Sequence, residues 1–287
     1  MCGIVGIASS KDFSATQLVN MLKRLEYRGY DSFGFVTMEG ELEKFTGEID
    51  INKINDVKTN AAISHTRWAT HGGVSEKNSH PHSDCKNEVF IVHNGIISNY
   101  ENLKNKLKNH KFRSETDSEV IAHYIEEKLK RKDMIHAISD FFKEAKGEFA
   151  VLLMRKDDDK IYAFKRGSPM VIGIEKNATI VASDIYAFSD RTNKAIFFNE
   201  NDLAVVSKNG YEIFEMPSIK KEKRAVSTIQ WTQDEDKHSY EHYMIKEIME
   251  QPTAAKRLLN SLKNEQHEKM IKLRNMIKKS NRVVFVA

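Results

Sequence analysis

The chain opens on six small and apolar residues, Gly3-Ile4-Val5-Gly6-Ile7-Ala8, a pattern that predicts a strand buried on both faces close to the N-terminus. From Ser14 the spacing becomes helical, with Leu18, Met21, Leu22 and Leu25 on one face. Tyr27-Arg28-Gly29-Tyr30-Asp31-Ser32 breaks that helix. Short β-type runs follow at 33–38, 42–45, 61–64 and 89–93. Residues 98–101 and 116–119 both read as capping boxes, Ser-x-x-Glu and Thr-x-x-Glu, and predict helix starts. A further helix is expected over 134–143. Strand texture then returns at 149–154, 161–164, 170–174, 179–182, 195–198, 203–207 and 211–214, with Gly, Asn and Asp at the joints. Strands, then helices, then strands imply sheets stacked between helical layers, not the strict alternation of a doubly wound sheet.

Residues 217–239 lose periodicity and carry mixed charge. They read as a linker between a first domain over 1–216 and a helical segment over 240–287. Helices are expected there at 240–262 and 265–279, with Pro252 as a bend or break. The β-branched run at 282–287 reads as a buried parallel strand, the start of a second domain cut short.

Composition narrows the class. Of 287 residues, 40% are hydrophobic and 30% charged, with four prolines, which excludes wholesale disorder and a collagen-like chain. No apolar run approaches the ~20 residues that span a bilayer. Two cysteines, Cys2 and Cys85, are too few for a disulfide framework and suit a reducing cytoplasm. The net charge of +4 is concentrated: 256–282 holds nine Lys/Arg and two Glu, a local +7 that leaves −3 elsewhere. At helical spacing such a run is a solvated face, so no nucleic acid and no membrane is expected as partner.

Four places could carry chemistry. Removal of Met1 would make Cys2 the chain start, where its own amine, with a pKa of ~7.7–8.0, sits beside the thiol as a base. The stretch from His65 to Gly73 leaves a strand for a polar loop. In it Arg67 could grip a carboxylate with two parallel hydrogen bonds, beside the wall of Trp68. At His93-Asn94-Gly95-Ile96-Ile97 a helix start follows instead of a second strand, so the Asn94 side chain and the Gly95 amide could form an oxyanion hole. Asp117, in a helix first turn, could hold an ammonium. His65, His71, His80, His82 and His93 raise the question of zinc, but no short-spaced pair lies on a helix. No metal is expected there, and His80 and His82 read as loop residues bounding a pocket.

Met1 to Gly6, Leu25 to Ser32, His65 to Gly72, His80 to His82, His93 to Ile97, Glu115 to Val120, Arg166 to Pro169 and Ala182 to Asp184 together resemble the N-terminal glutaminase domain of the glucosamine-6-phosphate synthase (glutamine–fructose-6-phosphate transaminase) family of class II amidotransferases. The resemblance covers about 1–262. It implies a four-layer αββα sandwich of the N-terminal-nucleophile hydrolase type, classed α+β, followed by a helical extension. It implies Cys2 as nucleophile, Asn94 and Gly95 as oxyanion hole, Arg67 on the glutamine α-carboxylate and Asp117 on its α-ammonium. Trp68, Thr70, His71 and Gly72 fall where that family has its lid. Glutamine is the implied substrate and no cofactor is required. Fructose-6-phosphate enters only through an isomerase half beyond Ala287, and the full-length assembly implied is a homodimer. The competing reading is a catalytically silent amidotransferase acting as a regulatory or partner-binding subunit. Phe33 departs from the small residue usual after Asp-Ser.

Overall fold

A computed structural model describes residues 2–229, 240, 243–264 and 266–284. The chain divides into two compact units, Met1–Trp231 and Thr232–Ala287.

In the first unit the elements run β1 (Gly3–Ser14), α1 (Ala15–Lys23), β2 (Ser32–Thr37), β3 (Leu42–Thr46), β4 (Lys58–Arg67), β5 (His82–Ser83), β6 (Val89–Ile97), α2 (Tyr100–Lys106), α3 (Glu119–Leu129) and α4 (Met134–Glu144). They continue with β7 (Gly147–Arg155), β8 (Ile161–Arg166), β9 (Val171–Ile174), β10 (Ala178–Ala182), β11 (Lys194–Phe197), β12 (Asp202–Ser207), β13 (Gly210–Glu215), β14 (Lys220–Glu222) and β15 (Ser227–Thr228). An eight-stranded sheet has the order β15-β11-β9-β10-β1-β4-β2-β3, and a seven-stranded one the order β14-β13-β12-β8-β7-β6-β5.

Alternation along the strands builds the layers. In β1, Ile4 and Ala8 point into the seam between the sheets, where they meet Phe90, Val92 and Leu152. Val5 and Ile7 point the other way, onto Leu18 and Leu22 of α1. In β6, Val89 and Ile91 face α3 and α4 through Ile121, Ile125 and Phe141. Each sheet is thus covered on both faces, giving the expected αββα order and explaining why its strands read as continuous apolar runs. Phe33, the unusual residue after Asp-Ser, is buried and stacks on Phe45 at 4.8 Å.

Several local expectations need correction. The two predicted capping boxes do not form: α2 is preceded by Asn99 and α3 by Ser118, neither with a side-chain cap. Their polar groups are drawn into tertiary bonds instead. Asn99 Nδ2 donates to Glu144 O at 2.9 Å, and Glu119 accepts from the Arg113 and Ser114 amides at 2.7 and 2.6 Å. The capping box sits on α1, where Ser14 and Gln17 bond reciprocally. Asn94 and Gly95 do not end their strand; β6 continues through them, paired with Ala150 and Phe149 of β7. Within the stretch read as linker, 220–222 and 227–228 add edge strands to the two sheets.

The second unit contains α5 (Tyr243–Lys263) and α6 (His267–Lys279). Pro252 lies inside α5 without ending it, on an exposed turn. Arg282, Val283 and Val284 form no strand; 285–287, like 230–239 of the linker, Met1, 241–242 and Glu265, lie outside the described residues. Among the described residues no helix is long and apolar enough to cross a membrane.

Candidate active site

The candidate residues come from strand ends that meet at one edge of the sandwich. Cys2 immediately precedes β1, Arg67 ends β4, Asn94 and Gly95 lie near the end of β6, and Asp117 lies just before α3. Cys2, Arg67, Trp68, Thr70, His71, Gly95 and Asp117 line one cavity. Asn94 joins them by donating from Nδ2 to Cys2 O at 2.7 Å, and Gly72 through its carbonyl on Arg67. All nine residues singled out in the sequence are therefore neighbours. The space left among them is about 30 Å3, roughly the share of one water molecule.

The Cys2 sulfur accepts the Trp68 N–H at 3.3 Å. Burial pushes its thiol pKa up, against the pull of that N–H and of the Arg67 charge. Arg67 is buried, and its guanidinium donates to the carbonyls of His71, of Gly72 at 3.1 Å and of Gly73 at 3.2 Å. The loop after β4 is thus folded onto the very group expected to bind a carboxylate. Asp117 Oδ2 accepts the Ile97 N–H at 2.7 Å. At Gly95, φ is +121°, and a Cβ would come within 2.1 Å of Glu148 O, so only glycine fits there.

Four histidines form a dry wall behind the cavity. His65 stacks on His80 at 4.1 Å, His80 Nδ1 accepts the His93 N–H at 3.2 Å, and His82 Nε2 lies 3.0 Å from Thr116 Oγ1. Burial pulls all four below the usual imidazole range, His65 to about 3. They are neutral supports at neutral pH. His93 and His80 also line the cavity, as do Thr116 and Ser118, which the sequence did not single out.

Further supporting residues lie in motifs quoted above without a role. Asp31 Oδ2 accepts the Ala69 N–H at 2.8 Å and so pins the loop after Arg67. A Cβ at Gly29 would meet the Arg67 and Trp68 backbones at 2.6 and 2.7 Å, so its smallness permits their approach. Arg28 pairs with Asp184 at 2.5 Å, and Ser183 Oγ accepts the Ile4 N–H at 3.1 Å, fixing the start of β1 beside Cys2. The signal was the density of polar residues around Gly29 in 27–32 and the Ser-Asp pair at 183–184.

Residues 65–190 match the family model described as "Glutamine amidotransferase domain". The glutamine–fructose-6-phosphate aminotransferase (isomerizing) of Thermococcus kodakarensis is 41% identical over 89% of this chain and 44% of its own length. That of Thermotoga maritima is 38% identical over all of this chain and 49% of its own. The chain belongs to the glutamine amidotransferase family. It spans about half the length of the curated relatives it matches. Among solved structures, the glutamine phosphoribosylpyrophosphate amidotransferase from B. subtilis, complexed with ADP and GMP, superposes with a TM-score of 0.60 at 26% identity, covering 75% of this chain and 49% of that one. An allosteric regulatory enzyme of purine biosynthesis superposes with a TM-score of 0.61 at 26% identity, covering 77% and 49%. The αββα sandwich is thus that of the amidotransferases, with the cavity at the edge where β1 begins.

Proposed function

We propose that this amidotransferase domain hydrolyses glutamine to glutamate and ammonia, with Cys2 as nucleophile. Loss of Met1 would leave the Cys2 amine as base. The sulfur bonds to the side-chain carboxamide carbon while Asn94 Nδ2 and the Gly95 amide stabilise the oxyanion. The amine, through a water, delivers the thiol proton to departing ammonia as the C–N bond breaks. Water then attacks the γ-glutamyl thioester, giving glutamate and the free thiol. Arg67 takes the α-carboxylate and Asp117 the α-ammonium, so both ends of the amino acid are read by charge.

One observation supports this most: a sulfur, an amide donor, a guanidinium and a carboxylate from four separate segments share one cavity edge. Its present size argues that the Trp68–Gly73 loop lifts off Arg67 to admit glutamine. By the same reading the ammonia serves glucosamine-6-phosphate synthesis, with fructose-6-phosphate handled by an isomerase half and full-length chains paired as homodimers. Two free thiols, Cys2 and Cys85, favour a cytoplasmic setting.

A glutamine-analogue electrophile tests the reading. Mass spectrometry should find one label per chain, on Cys2, with Met1 absent, and glutamine should yield ammonia without amino sugar. Unlabelled Cys2, or Met1 fully retained on active protein, would overturn it.

A further inference from the structure

Away from that cavity, four side chains from three separate segments converge. Cys85 lies in the turn between β5 and β6, His110 in the connection from α2 to α3, and His123 and Glu126 on α3 itself. Cys85 Sγ is 3.6 Å from His110 Nδ1 and 3.5 Å from His123 Nδ1. Glu126 Oε2 is 2.9 Å from His110 Nδ1 and 3.4 Å from His123 Nδ1. The four atoms all lie within 4.8 Å of one another.

These separations can be compared with a tetrahedron. Zinc bonds of ~2.3 Å to sulfur and ~2.0–2.1 Å to nitrogen or oxygen give edges of about 3.5–3.6 Å for S–N and about 3.3–3.4 Å for N–O. Both sulfur edges have that length, and one carboxylate edge matches while the other is shorter.

The surroundings point the same way. His123 Nε2 lies 3.3 Å from Glu119 Oε1, and His110 Nε2 lies 3.0 Å from Glu127 Oε2. Each ring has a carboxylate within reach of Nε2, the usual outer partner of a metal-bound imidazole, and an Nε2–H donated to it turns the Nδ1 lone pair inward. Glu119 is itself held by the Arg113 and Ser114 amides, and the Lys111 N–H donates to Cys85 Sγ at 3.5 Å. The His110 and His123 side chains are only 4% and 1% exposed. With both rings in that tautomer, two imidazole nitrogens, a carboxylate and a thiol face one another as a ligand set. Thiolate, imidazole and carboxylate in that arrangement are the donor types that zinc takes.

We propose that Cys85, His110, His123 and Glu126 bind one zinc ion as a closed, structural site. On binding, the Cys85 S–H bond breaks, the sulfur–zinc bond forms and the proton leaves to solvent. The ion ties the β5–β6 turn, the α2–α3 connection and α3 together. That connection ends in Asp117 and Ser118, so the site braces the segment that carries the proposed ammonium partner. The zinc site does not depend on the glutaminase reading.

The full chain, loaded with zinc and dialysed, should retain one zinc per chain by elemental analysis. Replacing zinc with cobalt(II) should give the visible bands of a tetrahedral centre and a thiolate-to-cobalt charge-transfer band. Both should survive Cys2→Ala and disappear in Cys85→Ser and in His123→Gln. Zinc should also raise the Tm of the chelated wild type but not of Cys85→Ser, a comparison of folded samples that distinguishes lost binding from lost folding. Should Cys85→Ser not fold, His110→Gln takes its place. No retained metal, or a cobalt–thiolate band that persists without Cys85, would overturn the proposal.

Discussion

The two cysteines occupy opposite kinds of surroundings. Cys2 precedes the first strand, and the bond its sulfur accepts comes from a peptide N–H, beside the charge of Arg67. Cys85 sits in a hairpin turn with two imidazole nitrogens within 3.6 Å and a carboxylate beside them. The Trp68 N–H and the Arg67 charge favour the Cys2 thiolate, against the burial that raises its pKa. A sulfur surrounded by other lone pairs is prepared to share a cation. The histidines divide in the same way. Behind Cys2, His80 packs its ring against those of His65 and His82 and His93 Nδ1 meets Ser118 Oγ, whereas those beside Cys85 each hold a carboxylate on the outer nitrogen.

The hardest test of the contrast is Cys2→Ala. It should abolish ammonia release from glutamine, to below detection in a coupled assay, while far-UV dichroism stays native. Persistent turnover would remove the distinction. Next in size is Asn94→Ala, which leaves the cysteine but takes away one donor to the oxyanion. A fall of about 10²–10³-fold in kcat is expected. An unchanged kcat would mean that Asn94 only positions the chain start through its bond to Cys2 O. Smaller still is Asp117→Asn, which should raise KM for glutamine more than it lowers kcat. The expected cost of about 1–3 kcal/mol corresponds to leaving the substrate ammonium without its charged partner. Equal falls in kcat and kcat/KM would place Asp117 in the chemical step instead.

Much of the contrast was legible in the sequence, but unevenly. The strands were, because both faces of each sheet are covered and β1 or β7 therefore reads as an apolar run. The residues of the proposed glutaminase site were legible as well, since Cys2, Arg67, Asn94 and Asp117 each stand beside a motif. The helix starts at 98–101 and 116–119 were legible but their caps were not, because Asn99 and Glu119 serve distant partners in place of their own helix amides. The meeting of Cys85, His110, His123 and Glu126 was not legible, for a related reason. The dense histidines lie at 65–93, whereas His110 and His123 meet Cys85 only where the β5–β6 turn folds against α3. Spacing along the chain records neither that contact nor the carboxylates on the outer nitrogens.

The last prediction tests the four histidines behind Cys2 by titration. His65, His80, His82 and His93 are held below their unfolded value of ~6.5 by burial, His65 at about 3. The folded state therefore binds fewer protons than the unfolded chain as pH falls. Their contribution is fully present above ~6.5 and is lost on acidification, at a limiting slope of about 1.4 kcal/mol per pH unit for each histidine that stays neutral. Glu119 and Glu144, held at about 2, add their own loss only below the ordinary carboxylate range near ~4.5. Urea unfolding of the chelated protein between pH 7 and 5 isolates the histidines. Stability should fall steeply over that interval, and His82→Gln should flatten the slope by about one proton whatever its effect at pH 7. An undiminished slope would mean that His82 gains its proton in the folded state, and that burial does not keep the wall behind Cys2 neutral.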